Sequence, residues 1–290
     1  MIMDKLKIIV CCHKADPNIC TNEPYFPIQV GKALHPELDL GFQNDNDGDN
    51  ISDRNNRWSE LTALYWGWKN LKDVEYLGLC HYRRYFKYNI NANNIDRLLN
   101  KHDIIVVKQD NLMFSKKERP RNFIEVTSLE DYYIFMDRLL STYPEYEKEI
   151  IEYFYNSRES YPYTMFVARK ELYDDFCNFI FPVLFKMDEV VKPHGYTRQQ
   201  RLIGYCGEYF LGLYIHCKHL KPLPLPLEFK GFSIDNPQGF TASCKRICKN
   251  ILRFLYALVE DLIPPQKSIV LPDAVRVGLK ADHIEMEYFK

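Results

Sequence analysis

The chain has 290 residues, enough for one large α/β domain with a sizeable core or for two small domains. Hydrophobic residues at 46% and charged residues at 27% describe an ordinary globular protein and exclude a disordered or fibrous chain. A formal net charge of -1 gives no bulk attraction to nucleic acid or anionic lipid, so any electrostatic partner must be held by a local cluster.

The chain carries 21 Tyr and 18 Phe, which suit stacking on sugar rings as well as core packing. Nine cysteines lie mostly in apolar segments without CxxC spacing. That pattern fits reduced thiols in a cytoplasmic protein better than a disulfide framework or a zinc site. No segment offers the roughly 18 to 20 uninterrupted apolar residues that span a bilayer. The N-terminus, MIMDKLKIIVCC, runs directly into a strand without a small-residue cleavage pattern, so no signal peptide is expected.

Leu6 to Cys12 is a continuous apolar run, the expected first strand of a doubly wound sheet, and it ends at His13 and Lys14. Pro17, Asn18, Thr21, Asn22 and Pro24 then mark a loop over which a base or ribose could lie. Residues 43–56, QNDNDGDNISDRNN, are the most polar stretch. An EF-hand alignment on Gly48 puts Arg54 where the bidentate Glu belongs, and that match fails. A metal-binding DxD would follow a strong apolar strand, and Leu38 to Phe42 is a weak one; a flexible loop that orders over a ligand is the preferred reading.

Asn55 or Asn56 caps an expected helix from Arg57 to Leu71, with Trp58, Leu61, Tyr65 and Trp68 on one core-facing stripe. Glu60 and Thr62 flank that stripe as secondary site candidates.

The most informative stretch is VEYLGLCHYRRYF, residues 74–86. Val74 to Cys80 reads as a buried strand that stops at His81, Tyr82, Arg83 and Arg84, and ligands of α/β sheets sit beyond the carboxyl ends of strands. Two adjacent arginines suit a bidentate grip on phosphate oxygens, so a diphosphate is the first ligand to consider. Arginines that bridge to surface carboxylates are the plainer alternative. A Cys80–His81 nucleophile pair is disfavoured because neighbouring strand residues point to opposite faces.

Ile95 to Asn100 reads as helical and Asp103 to Lys108 as a strand. Residues 109–126 read as a mobile charged loop whose Lys116, Lys117, Arg119 and Arg121 either touch acceptor phosphates or are simply solvated. Ser128 with Asp131 resembles a capping box opening a helix to Ser141, and another helix follows Pro144. Tyr163 to Ala168 is a short strand, and Arg169 to Lys186 is helical with an interruption at Pro182.

Gln199 to His216 reads as a helix despite Gly204, Gly207 and Gly212, each costing roughly 1 kcal/mol relative to alanine. Something must offset that cost. Arg201, Gly204 and Glu208 share one face, so Gly204 could leave a gap for a hydroxylated ligand between two charges. Glu208 is the leading general-base candidate. The alternative is an Arg201–Glu208 ion pair with Gly204 allowing close helix packing.

Residues 221–237, with Pro222, Pro224, Pro226 and Pro237, read as an extended connector. From Thr241 to Ile263 a basic amphipathic helix carries Ile247, Ile251, Phe254, Leu255, Leu258 and Leu262 beside Lys245, Arg246, Lys249 and Arg253. Such a helix suits an anionic membrane surface, its own domain or a second copy of the chain.

At NISDRNNRWSELTALYWGWKN, GLCHYRRYF and RLIGYCGEYFLGLYI the sequence resembles a bacterial family of capsule, O-antigen and exopolysaccharide glycosyltransferases. That family was long catalogued as a domain of unknown function and later linked to galactofuranose transfer. The resemblance covers roughly residues 5–230 and implies an α/β, GT-A-like nucleotide-sugar-binding domain with a mostly parallel central sheet flanked by helices. On that basis residues 1–238 form the transferase domain and 239–290 an amphipathic helix and tail.

The resemblance further implies a UDP-sugar donor, UDP-galactofuranose being expected, and a saccharide or lipid-linked saccharide acceptor. It implies a cytoplasmic protein, peripheral at the inner membrane face, without a nucleic-acid partner; self-association stays open. His81, Arg83 and Arg84 occupy the place where many such enzymes carry DxD, which favours arginine neutralisation of the departing UDP over a divalent metal ion. Glu208 takes the position of the catalytic base in an inverting single displacement. Asn50, Ser52 and Asn55 are assigned to the donor sugar or ribose, and His13, Lys14, Tyr82 and Arg201 complete the donor site. Sugar-phosphate transfer releasing UMP, or a non-catalytic glycan-binding subunit, are the competing functions.

Overall fold

The computed structural model describes residues 3–108, 116–191, 198–231 and 240–290. The strands are β1 (Asp4–Cys12), β2 (Tyr25–Gln29), β3 (Gln43–Asn44), β4 (Val74–His81), β5 (Arg84–Phe86), β6 (Ile104–Val107), β7 (Phe166–Arg169), β8 (Pro222–Leu225) and β9 (Leu227–Phe229). The helices are α1 (Asn55–Trp58), α2 (Leu61–Asn70), α3 (Ile95–Leu98), α4 (Glu118–Val126), α5 (Leu129–Thr142), α6 (Glu147–Ile151), α7 (Lys170–Val190), α8 (Leu202–Cys217), α9 (Phe240–Asp261) and α10 (Asp273–Ala281).

All strands join one sheet in the order β3-β2-β1-β4-β7-β6-β8, with β5 pairing β4 and β9. The pairs β3-β2, β2-β1, β1-β4 and β6-β8 are parallel, whereas β7 runs antiparallel to both β4 and β6. The fold is therefore α/β with a mostly parallel sheet flanked by helices, as expected. Buried residues follow one another without alternation along Ile8 to Cys12 and Tyr76 to Cys80. Strands covered on both faces show that pattern.

The chain divides into two compact units. Unit 1 holds Met1–Gln109, Tyr161–Leu184 and Gln200–Phe232, and therefore the whole sheet. Unit 2 holds Asp110–Ser160, Phe185–Gln199 and Ser233–Lys290. The expected boundary at 238/239 lies outside the described residues.

In unit 1 the aromatic stripe packs as its spacing indicates: Trp58 and Trp68 stack on Phe181 while Tyr65 meets that ring edge-on. The weak strand expected at Leu38 to Phe42 is instead the short β3 at Gln43–Asn44. The proline-rich connector supplies β8. Pro222, Pro224 and Pro226 alternate, which puts every missing N–H on one side, and β8 ends the sheet order where no further strand needs those donors.

In unit 2, the segment expected to be an irregular loop is helical from Glu118 to Val126, with residues 109–115 outside the described residues. Pro120 falls in the first turn, where its missing N–H costs nothing, and Phe123 is buried. The Ser128 side chain accepts from the Asp131 N–H at 3.0 Å, the cap its sequence announces. Buried Asp137 accepts from the N–H groups of Glu287, Tyr288 and Phe289, which anchors the last residues of the chain. Helix α9 exposes Leu252, Leu255 and Leu258, as the chain just past its end exposes Leu262, while Ala257 and Glu260 are buried. Among the described residues no helix is long and apolar enough to cross a membrane. In α7, Pro182 sits inside a continuous helix without interrupting it.

Gly78 sits mid-strand in β4, and a Cβ there would lie 2.7 Å from the Phe166 carbonyl oxygen of the neighbouring strand. Gly78→Ala is expected to destabilise the protein by about 1–3 kcal/mol in thermal melts, because backbone cannot move aside as a side-chain tip can. Gly278→Ala in α10 meets nothing within 4 Å and should stabilise by up to about 1 kcal/mol.

Candidate active site

Because β1, β2 and β4 are parallel, their carboxyl ends open along one edge of the sheet. A cleft of about 520 Å³ lies there, lined by Cys11 and His13 from the end of β1, Val30 just past β2, and His81 to Arg84 at the end of β4. Asn55, Ser59, Glu60 and Arg201 close other sides. Of the residues the sequence assigns to a site, the fold brings His13, Asn55, His81, Tyr82, Arg83, Arg84 and Arg201 to this one cleft.

The polar cluster after β4 is a two-residue turn. His81 pairs with Arg84 across it, and Tyr82 and Arg83 form the tip. The Tyr82 N–H donates to the Cys11 carbonyl at 3.2 Å and the Lys230 N–H to the Arg83 carbonyl at 3.1 Å, so the tip is pinned by main chain from two sides. The two arginines then part company. Arg83 donates through Nε to Asp16 Oδ2 at 3.1 Å and lies 5.0 Å from the Tyr82 ring centroid. Arg84 lies 4.3 Å from the Tyr163 ring centroid, and among the described residues no carboxylate pairs with it. The surface-bridge alternative therefore describes Arg83 alone.

His81 is half-buried, with Nε2 2.7 Å from the Tyr163 carbonyl oxygen. Burial pulls its pKa down to about 4, with Arg84 and Arg201 adding to the push and the carbonyl opposing it. At neutral pH the ring is uncharged. His81 therefore brings no positive charge to the cleft. Burial and the cations Lys14, Arg201 and Arg83 likewise lower the pKa of His13, which meets Tyr82 edge-on. Tyr163 and Thr164 hold φ of +72° and +51°, a pair of left-handed conformations rare outside glycine and asparagine. Cys80 is fully buried and its thiol is pushed well above the ordinary range by burial, so it is no nucleophile.

The single helix expected from Arg57 to Leu71 is broken. Ser59 takes φ +52°, separating α1 from α2, and this break sets Ser59 and Glu60 on the cleft wall. Asn55 holds the break by donating to the Ser59 carbonyl at 2.8 Å and to Thr62 Oγ1 at 2.9 Å. Gly31, at φ +71°, leaves room for that asparagine; a Cβ would stand 2.8 Å from its Oδ1.

Helix α8 explains its own glycines. A Cβ on Gly204 would come within 3.0 Å of Ser59 Oγ, and one on Gly207 within 2.8 Å of Leu61 Cδ1. Close packing offsets the propensity cost, and the gap expected at Gly204 is occupied by Ser59 rather than open to a ligand. Arg201 precedes α8 and donates through Nε to Ser59 Oγ at 2.9 Å; among the described residues it forms no ion pair with Glu208.

Glu208 is the exposed member of an otherwise buried stretch of α8 and is not among the residues lining the cleft. Even so, desolvation by the surrounding walls and then the Glu60 carboxylate push its pKa up to about 7, against the pull of His81, Arg84 and Arg201. Water that reaches the exposed carboxyl screens part of that push. Glu60, which the sequence ranked below it, is buried on the cleft wall, and burial raises its pKa as well.

Three expected donor-site residues lie elsewhere. Lys14 is exposed and does not line the cleft. The Ser52 hydroxyl is buried between Asp45, to which it donates, and the Ala33 N–H, from which it accepts. Asn50 donates to the carbonyls of Asn46 and Gly48 and accepts from the Ser52 N–H. The acidic loop is thus tied shut rather than free. Asp45 accepts from the Gly31 and Lys32 N–H groups, Asp47 from Gln43, and Asp49 from Tyr65. Among the described residues no group of three His, Cys, Asp or Glu could hold a metal ion.

Residues 7–219 match the family model described as Domain of unknown function (DUF4422). The chain belongs to this DUF4422 family. No curated protein matches it. Among solved structures it is similar to the apo structure of the WbbM bifunctional glycosyltransferase, with 27% identity and a TM-score of 0.70. The match covers 80% of this chain and 46% of the WbbM chain, so the DUF4422 protein spans less than half the length of that enzyme.

Glu208 links the site to stability. Between pH 4.5 and about 7 the folded protein retains a proton that the unfolded chain has released, so stability present at low pH is lost as pH rises through that window. Glu208→Gln has no such loss. Its Tm should exceed the wild-type value at pH 8 and the difference should shrink towards pH 4, as read by thermal melts; equal differences at both pH values would contradict the assignment.

Proposed function

We propose that the protein is a glycosyltransferase of bacterial surface-polysaccharide synthesis. It moves a sugar, galactofuranose in the fullest form of the proposal, from a UDP-sugar to a saccharide or lipid-linked saccharide acceptor. The observation that carries this reading is Arg84: a guanidinium on the cleft wall, at the carboxyl edge of a mostly parallel sheet, that no described carboxylate neutralises. Its planar fork matches the oxygens of a diphosphate, whose negative charge grows as the glycosidic bond breaks. Arg201 and Arg83 flank it on the same cleft.

The similarity to WbbM supports the choice of glycosyl transfer over other chemistry at such a site. In this proposal Glu208 takes the proton from the attacking acceptor hydroxyl, and an inverting displacement follows. A carboxyl whose pKa is raised by desolvation and by Glu60 suits that work, since it is a stronger base when ionised than an ordinary carboxylate. Charge neutralisation falls to the guanidiniums rather than to a metal ion, given how the loop aspartates are committed. Contact of α9 with an anionic membrane face, or with a second copy of the chain, belongs to the same proposal, as does a cytoplasmic location.

The test is nucleotide release from UDP-galactofuranose in the presence of a synthetic galactoside. UDP is the expected product. Arg84→Ala should lower turnover about 10²- to 10³-fold, and Glu208→Gln about 10²- to 10⁴-fold. The wild-type pH profile should fall below pH 7 as Glu208 takes up its proton. Release of UMP would instead make the reaction sugar-phosphate transfer, and full activity in Glu208→Gln would remove the proposed base.

A further inference from the structure

The two ring nitrogens of His81 are not equivalent. Nε2 faces the Tyr163 carbonyl oxygen at 2.7 Å, and a carbonyl only accepts, so that nitrogen carries the proton of the neutral ring. Nδ1 is left with a bare lone pair, and among the described residues nothing donates to it.

We propose that His81 Nδ1 accepts a hydrogen bond from a hydroxyl of the bound sugar, and that the Tyr163 carbonyl is the positioning group that assigns it this role. The proposal rests on the glycosyl-transfer reading and deepens it. A bare lone pair repels phosphate oxygens and attracts O–H donors, so the cleft divides by chemistry. Arg83, Arg84 and Arg201 offer donors for an anion. His81 and Glu60 offer acceptors for hydroxyls on the same cleft wall.

Tyr163 serves both halves. Its carbonyl orients His81, while its ring lies beneath the Arg84 guanidinium at 4.3 Å. The residue does this from φ +72°, followed by Thr164 at φ +51°, conformations that L residues seldom adopt. The left-handed pair turns the carbonyl towards the imidazole at the end of β4. Thr164 is fully buried, its Oγ1 without a hydrogen-bond partner, as expected where backbone geometry has been given precedence over side-chain satisfaction.

His81→Gln separates the proposed role from a merely structural one. Its side-chain amide still donates to the Tyr163 carbonyl but offers no acceptor where Nδ1 stood. Calorimetry with UDP and with UDP-galactofuranose should show UDP affinity within about twofold of wild type and UDP-galactofuranose affinity down about five- to tenfold. Equal losses for both ligands, or no loss for either, would overturn the proposal. Nitrogen-15 spectra of histidine-labelled protein, with His81→Gln assigning the resonance, should show a neutral Nε2–H ring at pH 7. A protonated ring or an Nδ1–H tautomer would overturn it independently of any ligand. Failure of the wild-type protein to bind either nucleotide would instead refute the glycosyl-transfer reading and with it the sugar assignment, leaving the tautomer to the spectra.

Discussion

A guanidinium held at the end of a buried strand, with no carboxylate among the described residues paired to it, is the constraint from which the rest of this site follows. Arg84 is brought there by a tight turn whose main chain is pinned to Cys11 and Lys230. Desolvated positive charge is costly unless something opposes it. Among the described residues the face of Tyr163 does so closely, with the Glu60 and Glu208 carboxyls acting through space. An anion that enters the cleft completes an arrangement the fold leaves incomplete.

The same field explains the protonation states around it. Arg84 and Arg201 disfavour a charged His81, and burial does so more strongly. They favour ionised Glu60 and Glu208, yet desolvation wins at both carboxyls. A neutral imidazole, two carboxyls of raised pKa and an unneutralised arginine therefore coexist in one small region. Perturbed titratable groups gathered in this way are common where acid–base work is done.

Much of the frame was legible in the sequence. The unbroken apolar runs of β1 and β4 announced buried parallel strands, and of the polar residues that end them His13 and His81 to Arg84 line the cleft while Lys14 does not. The Ser128 cap also behaves as its spacing indicates, and Trp58 and Trp68 pack on Phe181 although the helix expected to join them breaks at Ser59. Other features had a signal that was open to a different reading. The alternation of Pro222, Pro224 and Pro226 marks an edge strand, and Gly204 marks a close approach of helices rather than a space for ligand.

The rest was hidden because it depends on contacts distant in the chain. Arg83 and Arg84 look alike locally, and only Asp16, 67 residues before Arg83, distinguishes them. The break at Ser59 and the left-handed turn at Tyr163 are carried by residues that rarely adopt such backbone, so propensity points away from both. Ser52 and Asn50 looked like ligand-binding groups because their partners, Asp45 and the loop carbonyls, become apparent only when the loop closes. The most direct measurement of the central claim is a crystal structure of the protein with UDP bound. The account predicts phosphate oxygens within hydrogen-bond distance of the Arg84 guanidinium, and a diphosphate bound away from this cleft, or an Arg84 turned out of it, would contradict the account.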